Sequence, residues 1–226
     1  MSKVFHIVGT DTGVGKTYVS CRIIEYLIAN GFIASGLKPI ATGNIRTRYG
    51  FINEDVEALM DTSNYKLALS EINPVCLKEP VSPNIAAILD QFDLNVASIT
   101  QQISQTLINA KCDYLLIEGI GGVMVPLNDL ESYLDILMAL RYPIILVVGI
   151  KLGCLNHTSL TIESLTIRNL PIIGWIANCI DPLMLRLDEN IQFLKDKLTI
   201  PLLAIVNYYQ NKFEPKPIWH ELMLCH

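Results

Sequence analysis

A chain of 226 residues, 51% of them apolar and with a mean hydropathy of +0.38, carries enough material for one large buried core. Its net charge of −5, with no stretch that concentrates Lys or Arg, argues against a nucleic-acid footprint. The apolar residues come in short blocks that fall well below the ~18 consecutive residues of a membrane span. The opening MSKVFHIVG lacks the basic and apolar regions of a secretory leader, so a cytoplasmic protein with neither membrane nor nucleic-acid partner is expected. The six cysteines contain no C-x-x-C pair, and in a reducing compartment they read as small apolar residues rather than disulfides or zinc ligands.

In chain order, residues 4–8 read as a first strand that runs into a glycine-rich turn, Gly9-Thr10-Asp11-Thr12-Gly13-Val14-Gly15-Lys16-Thr17. A helix follows over 16–29, with Val19, Ile23 and Leu27 at near-helical spacing and Asn30-Gly31 as its stop. A glycine-rich turn between strand and helix is the setting of a phosphate-binding loop, whose N–H groups and helix N-terminus point at phosphate oxygens. Here Lys16 is placed to reach the β- and γ-phosphates and the Thr17 hydroxyl to ligate Mg²⁺. The usual glycine six residues before the lysine is Thr10, and the glycine sits one earlier at Gly9.

A second strand over 32–37 leads to Lys38-Pro39, which places Lys38 either in the ligand crevice or on a solvated surface. The polar segment Asn53-Glu54-Asp55 opens a short helix over 54–60, so Asp55 is a metal carboxylate, a helix N-cap or a first-turn acid. The helix over 96–110 has the clearest period, and a buried strand over 114–117 ends at Glu118-Gly119. A carboxylate at the C-terminal end of a parallel strand lies beside bound phosphates, which makes Glu118 a metal-ligand candidate. Strands over 143–148, 172–177 and 201–205 alternate with helices over 158–168 and 186–198. Gly153 to Thr158 offer a second helix N-terminus able to hold an anion, with His157 read as a helix residue rather than a catalyst. Asn178 ends a strand, where it can read a base edge or cap its own loop.

Doubly apolar strands separated by amphipathic helices predict an α/β, P-loop NTPase-type fold with a mainly parallel sheet covered on both faces. No linker divides the sequence, so one domain over 1–226 is expected, with the tail over 211–226 left unassigned between helix and loop.

The segments GTDTGVGKT (9–17), KPIATG (38–43), EPVSP (79–83), EGIGG (118–122), GIKLGCLNH (149–157) and WIAN (175–178) together resemble the dethiobiotin synthetase family. The resemblance implies ATP- and Mg²⁺-dependent closure of a cyclic urea from 7,8-diaminopelargonate and CO₂, through a carbamate and a carbamic-phosphoric anhydride. It implies nucleotide contacts from Gly13, Val14, Gly15, Lys16, Thr17, Tyr18 and Asn178, and a metal site of Thr17, Asp55 and Glu118. Thr12, Lys16 and Lys38 are implied in catalysis, and Thr12, Lys38 and Thr42 at the diamine and carbamate. Gly153, Cys154, Leu155 and Asn156 are implied at the substrate carboxylate, donated by the partner subunit of a homodimer. Three positions depart from the family pattern: Asn190 replaces a frequent Tyr, Asn84 a frequent His, and the usual glycine and proline near 204–207 are missing. The alternative is a partitioning-type P-loop ATPase switch, which carries a lysine where this chain has Asp11.

Overall fold

The protein is described by a computed structural model over residues 2–208 and 213–221. The chain runs β1 (Lys3–Gly9), α1 (Lys16–Ala29), β2 (Ala34–Leu37), β3 (Ile40–Thr42), β4 (Ile45–Thr47), β5 (Gly50–Ile52), α2 (Glu54–Thr62) and α3 (Leu69–Ile72). It continues β6 (Val75–Leu77), α4 (Pro83–Leu89), α5 (Val96–Asn109), β7 (Tyr114–Gly122), α6 (Tyr133–Leu140), β8 (Ile144–Gly149) and α7 (Cys154–Ile167). The last elements are β9 (Ile172–Asn178), α8 (Leu187–Lys197), β10 (Leu202–Val206) and α9 (Pro217–Trp219).

Six of these strands form one sheet in the order β10-β9-β8-β1-β7-β2, and every pairing in it is parallel. Strand side chains alternate between faces, and the sequence is apolar on both. In β8, Ile144, Leu146 and Val148 join the core beneath α5 to α8, while Ile145 and Val147 join the core beneath α1. The first core takes Ile99 and Ile103 of α5, Leu137 of α6, Leu165 of α7 and Leu194 of α8; the second takes Val19, Ile23, Ile24 and Leu27 of α1. This is the expected parallel sheet with helices on both sides.

The chain leaves β1, crosses to β2 at one edge, and later returns to β8 on the other side of β1. That reversal opens a crevice above the C-terminal ends of the central strands, where ligands bind in such sheets. Two small sheets, β3 with β6 and β4 with β5, stand beside this crevice.

The end of the chain crosses the edge of the sheet. Ala204 bridges Pro215, Lys216 N–H donates to the Leu203 carbonyl at 2.8 Å, and Trp219 is fully buried. Phe213 and Trp219 stack edge-on at 5.0 Å, both against Tyr26 of α1. The unassigned tail thus holds one short helix and an irregular lead-in over the described part of 211–226, and its remainder lies outside the described residues.

Candidate active site

The loop between β1 and α1 is shaped by Gly15, which takes φ +82° as the residue preceding α1, a conformation that side-chain-bearing residues avoid. A Cβ at this position would overlap the Asn178 amide, which lies directly behind. Asn178 Nδ2 donates to the Val14 carbonyl at 2.8 Å, so the end of β9 buttresses the loop from below. The first N–H groups of α1 remain free of side-chain caps and face the crevice.

Strand register brings the charged groups together. Leu37 of β2 pairs with Ile117 of β7, so Lys38 lies alongside Glu118, and Ile7 of β1 pairs with Glu118 from the other side. Lys38 is buried, and its Nζ donates to Glu118 Oε1 at 2.5 Å, to Asp55 Oδ2 at 3.0 Å and to the Gly119 carbonyl at 3.3 Å. Thr17 Oγ1 donates to the same Glu118 oxygen at 2.6 Å. Lys16 Nζ donates to the Asp11 and Gly121 carbonyls at 3.0 and 2.7 Å.

The electrostatics follow from this crowding. Burial, and then the Lys38 ammonium, brings the Lys16 amine down to about 8. Burial opposes the charge on Lys38 too, yet Glu118 and Asp55 outweigh it and hold that amine above its ordinary value. Burial works to raise the Asp55 carboxyl, but the Lys38 ammonium, by its charge and its hydrogen bond, holds it below the usual carboxylate range.

These groups line a cleft of about 740 Å³, together with Thr12, Gly13, Gly15, Tyr18, Thr42, Asn53, Val125 and the segment Pro80 to Pro83. Val14, fully buried, and Asn178 sit behind the loop and not on the cleft wall. Gly153, Cys154, Leu155 and Asn156 do not line it either. They open α7, with Gly153 at φ +95° and Asn156 exposed, on the far side of Asp11. Asp11 links that region to the loop: its carboxylate accepts the Thr12 N–H at 2.7 Å and pairs with Lys151 at 3.3 Å and His157 at 4.0 Å. Asn190 points its amide at its own helix, donating to the Arg186 carbonyl, and Asn84 accepts from Ser82.

A divalent cation is tested by the donor set. Thr17 Oγ1, Asp55 and Glu118 are hard oxygens of the kind Mg²⁺ prefers. Glu118 Oε2 is buried without any hydrogen-bond partner, so it has a lone pair in need of a donor or a metal. Among the described residues no group of three or more His, Cys, Asp or Glu could hold a metal unaided. Mg²⁺ therefore fits best when it completes its shell with phosphate oxygens and water.

Two features of the site escaped the sequence. Asn53 lines the cleft with three side-chain hydrogen bonds, and Tyr133 of α6 is buried against Gly119 with its hydroxyl unpaired and its ionisation pushed up by burial and by Glu118. The Asn-x-Asp spacing could have suggested Asn53 as a helix cap; nothing in the sequence marks Tyr133.

An AAA-domain family model matches residues 3–214. An ATP-dependent dethiobiotin synthetase of Aromatoleum aromaticum is 40% identical over 204 residues, 90% of each chain. That of Legionella pneumophila is 43% identical over 206 residues, 91% of this chain and 94% of the relative. The chain belongs to the dethiobiotin synthetase family. Among solved structures, the septum site-determining protein MinD of Pyrococcus horikoshii with Mg-ADP superposes with a TM-score of 0.53 at 18% identity, covering 92% of this chain and 82% of that one. MinD of Aquifex aeolicus gives 0.54 at 14%, covering 91% and 82%. At such identities the likeness shows the P-loop fold that the family shares, and nothing about activity.

Proposed function

We propose that the chain is an ATP-dependent dethiobiotin synthetase, which closes a cyclic urea on 7,8-diaminopelargonate with CO₂ and releases ADP and phosphate. The observation that carries this reading is the convergence of two buried lysines, two carboxylates and Thr17 under the loop, in one cleft with Thr12 and Thr42. One amine of the substrate adds CO₂ to give a carbamate. A carbamate oxygen attacks the γ-phosphorus, the bond to ADP breaks, and the second amine then attacks the carbamoyl carbon as phosphate leaves.

A carbamate is a weak nucleophile, so the protein must contribute alignment and charge compensation. Lys16 and Lys38 bring positive charge to the moving phosphoryl group from two sides. Thr12, exposed, and Thr42, half-buried, both line the cleft and offer hydroxyls to the diamine end and the carbamate. Thr17, Asp55 and Glu118 would hold Mg²⁺, which supplies charge neutralisation at the phosphates. Gly13 to Tyr18 cradle those phosphates through their N–H groups. Asn178, with its Nδ2 committed to the loop, keeps its carbonyl end for a base. Gly153 to Asn156, away from their own cleft and with Gly153 and Asn156 exposed, suit the carboxylate tail of substrate in a second subunit, which makes the working form a homodimer. A phosphate-driven switch is opposed by Asp11, a carboxylate paired with Lys151 where such switches need a cation.

The test is product formation. Purified protein with diamine, bicarbonate, Mg²⁺ and each common nucleoside triphosphate should yield dethiobiotin by mass spectrometry in step with released phosphate. Triphosphate hydrolysis without dethiobiotin would sink the assignment, and a monomer at working concentration in sedimentation would remove the shared carboxylate site.

A further inference from the structure

The excursion over residues 44–52 separates Thr42 from Asp55. It carries the β4–β5 hairpin, whose Ile45 and Phe51 are 51% and 72% exposed. Its tip is tied to α2 by Arg48 and Tyr49, both on Asp61. Its base is closed by one side chain. Asn53 Oδ1 accepts the Asp55 N–H at 3.0 Å and caps α2, while Asn53 Nδ2 donates to the Thr42 and Gly43 carbonyls at 3.1 and 2.8 Å.

An N-cap alone needs only the acceptor half of this amide, and serine provides it about as well. The donor half serves no requirement of the helix. It spans the hairpin base and fixes the end of β3 to the start of α2, the two walls that carry Thr42 and Asp55. We infer that Asn53 is a positioning residue, which sets the distance between the carbamate held at Thr42 and the phosphoryl group held over Asp55. The inference rests on the synthetase reading above. It follows from the sensitivity of phosphoryl transfer to alignment, because a carbamate displaced by a fraction of an ångström leaves the phosphorus open to water.

The full chain is compared with Asn53→Ser, which keeps a cap and loses the strap, and with Asn53→Asp, which keeps the acceptor but sets an oxygen against two carbonyls. Both variants are expected to raise the KM for diamine by about tenfold and to release more phosphate per dethiobiotin than the parent. The KM for ATP, the Mg²⁺ midpoint and the melting temperature of Asn53→Ser should stay close to those of the parent. An unchanged diamine KM and coupling ratio in Asn53→Ser would overturn the inference. So would a parallel loss in diamine, Mg²⁺ and thermal midpoints, since that is the signature of a cap and nothing more. A parent chain that forms no dethiobiotin would instead defeat the synthetase reading, and the positioning role with it.

Discussion

In a Lys38→Met variant the stem beside β7 is kept and the ammonium is lost. Glu118, with 1% of its side chain exposed, then has no cation at Oε1 and still no partner at Oε2. Asp55 is 37% exposed and loses far less, because water screens it. Removing one partner of a buried pair costs about 3–5 kcal/mol, which for a chain of this size lowers the melting temperature by roughly 6–20 °C. Melts should be run in chelator, where no divalent ion can take over the compensation, and Mg²⁺ added afterwards should return part of the loss. A Lys38→Met/Glu118→Gln double variant removes the stranded charge and should recover most of the stability. Its dethiobiotin formation should nevertheless remain about 10²-fold or more below the parent, since the charge at the phosphoryl group is still missing. Melting of the single variant within about 2 °C of the parent would refute the buried-pair reasoning. Near-parental turnover would remove Lys38 from the mechanism.

Three other outcomes are expected. His6 is fully buried with both ring nitrogens unpaired, and burial lowers its pKa from 6.5 to about 3. Between those values the unfolded chain binds the extra proton, so stability falls as pH drops through that window; His6→Leu should lose about 2 kcal/mol less than the parent between about pH 6.5 and 4.5 in urea melts, and equal losses would contradict this. Lys16, brought down to about 8, should impose a falling limb on kcat/KM for ATP above that pH, because only its charged form attracts phosphate; a profile flat to about pH 9 or beyond would count against it. Gly15→Ala forces a side chain into φ +82° and against Asn178, and should weaken nucleotide binding at least about tenfold by calorimetry; an unchanged affinity would show that the loop can relax.

The legible parts of the fold were those where one physical signal dominates. Lys16–Ala29 was bounded correctly because a loop with fixed chemistry precedes it and Asn30-Gly31 follows. Glycines misled elsewhere: β7 runs on through Gly119 and Gly121 to Gly122, because Gly9 of β1 pairs with Gly122 and keeps the strand extended past its apparent stop. α6 carries no clear period because YLDILMAL is apolar nearly all round, with exposed Met138 and Ala139 as apolar as the buried face of Tyr133, Leu134, Ile136 and Leu137. The β4–β5 hairpin has no local signature, since its Arg48-Tyr49 turn lacks the glycine or asparagine that announces a tight turn. The sequence names Lys16, Thr17, Lys38, Asp55 and Glu118, which the structure gathers in one cleft, but it does not state their wiring. Lys38 remained balanced between surface and crevice until the β2–β7 register placed it against Glu118, and register is a property of two distant strands that no local pattern states.

The crossing of the chain end over β10 has a consequence for solubility. As an outer strand, β10 offers a row of backbone groups that another molecule could extend, and open edges of this kind seed aggregates. The Ala204–Pro215 bridge and the Lys216 bond to Leu203 occupy that row from within the same molecule, and Pro215 brings no N–H of its own to continue the ladder outward. Among the described residues of this segment none lines the phosphate cleft, yet a chain shortened before Phe213 would lose the guard that keeps its copies apart.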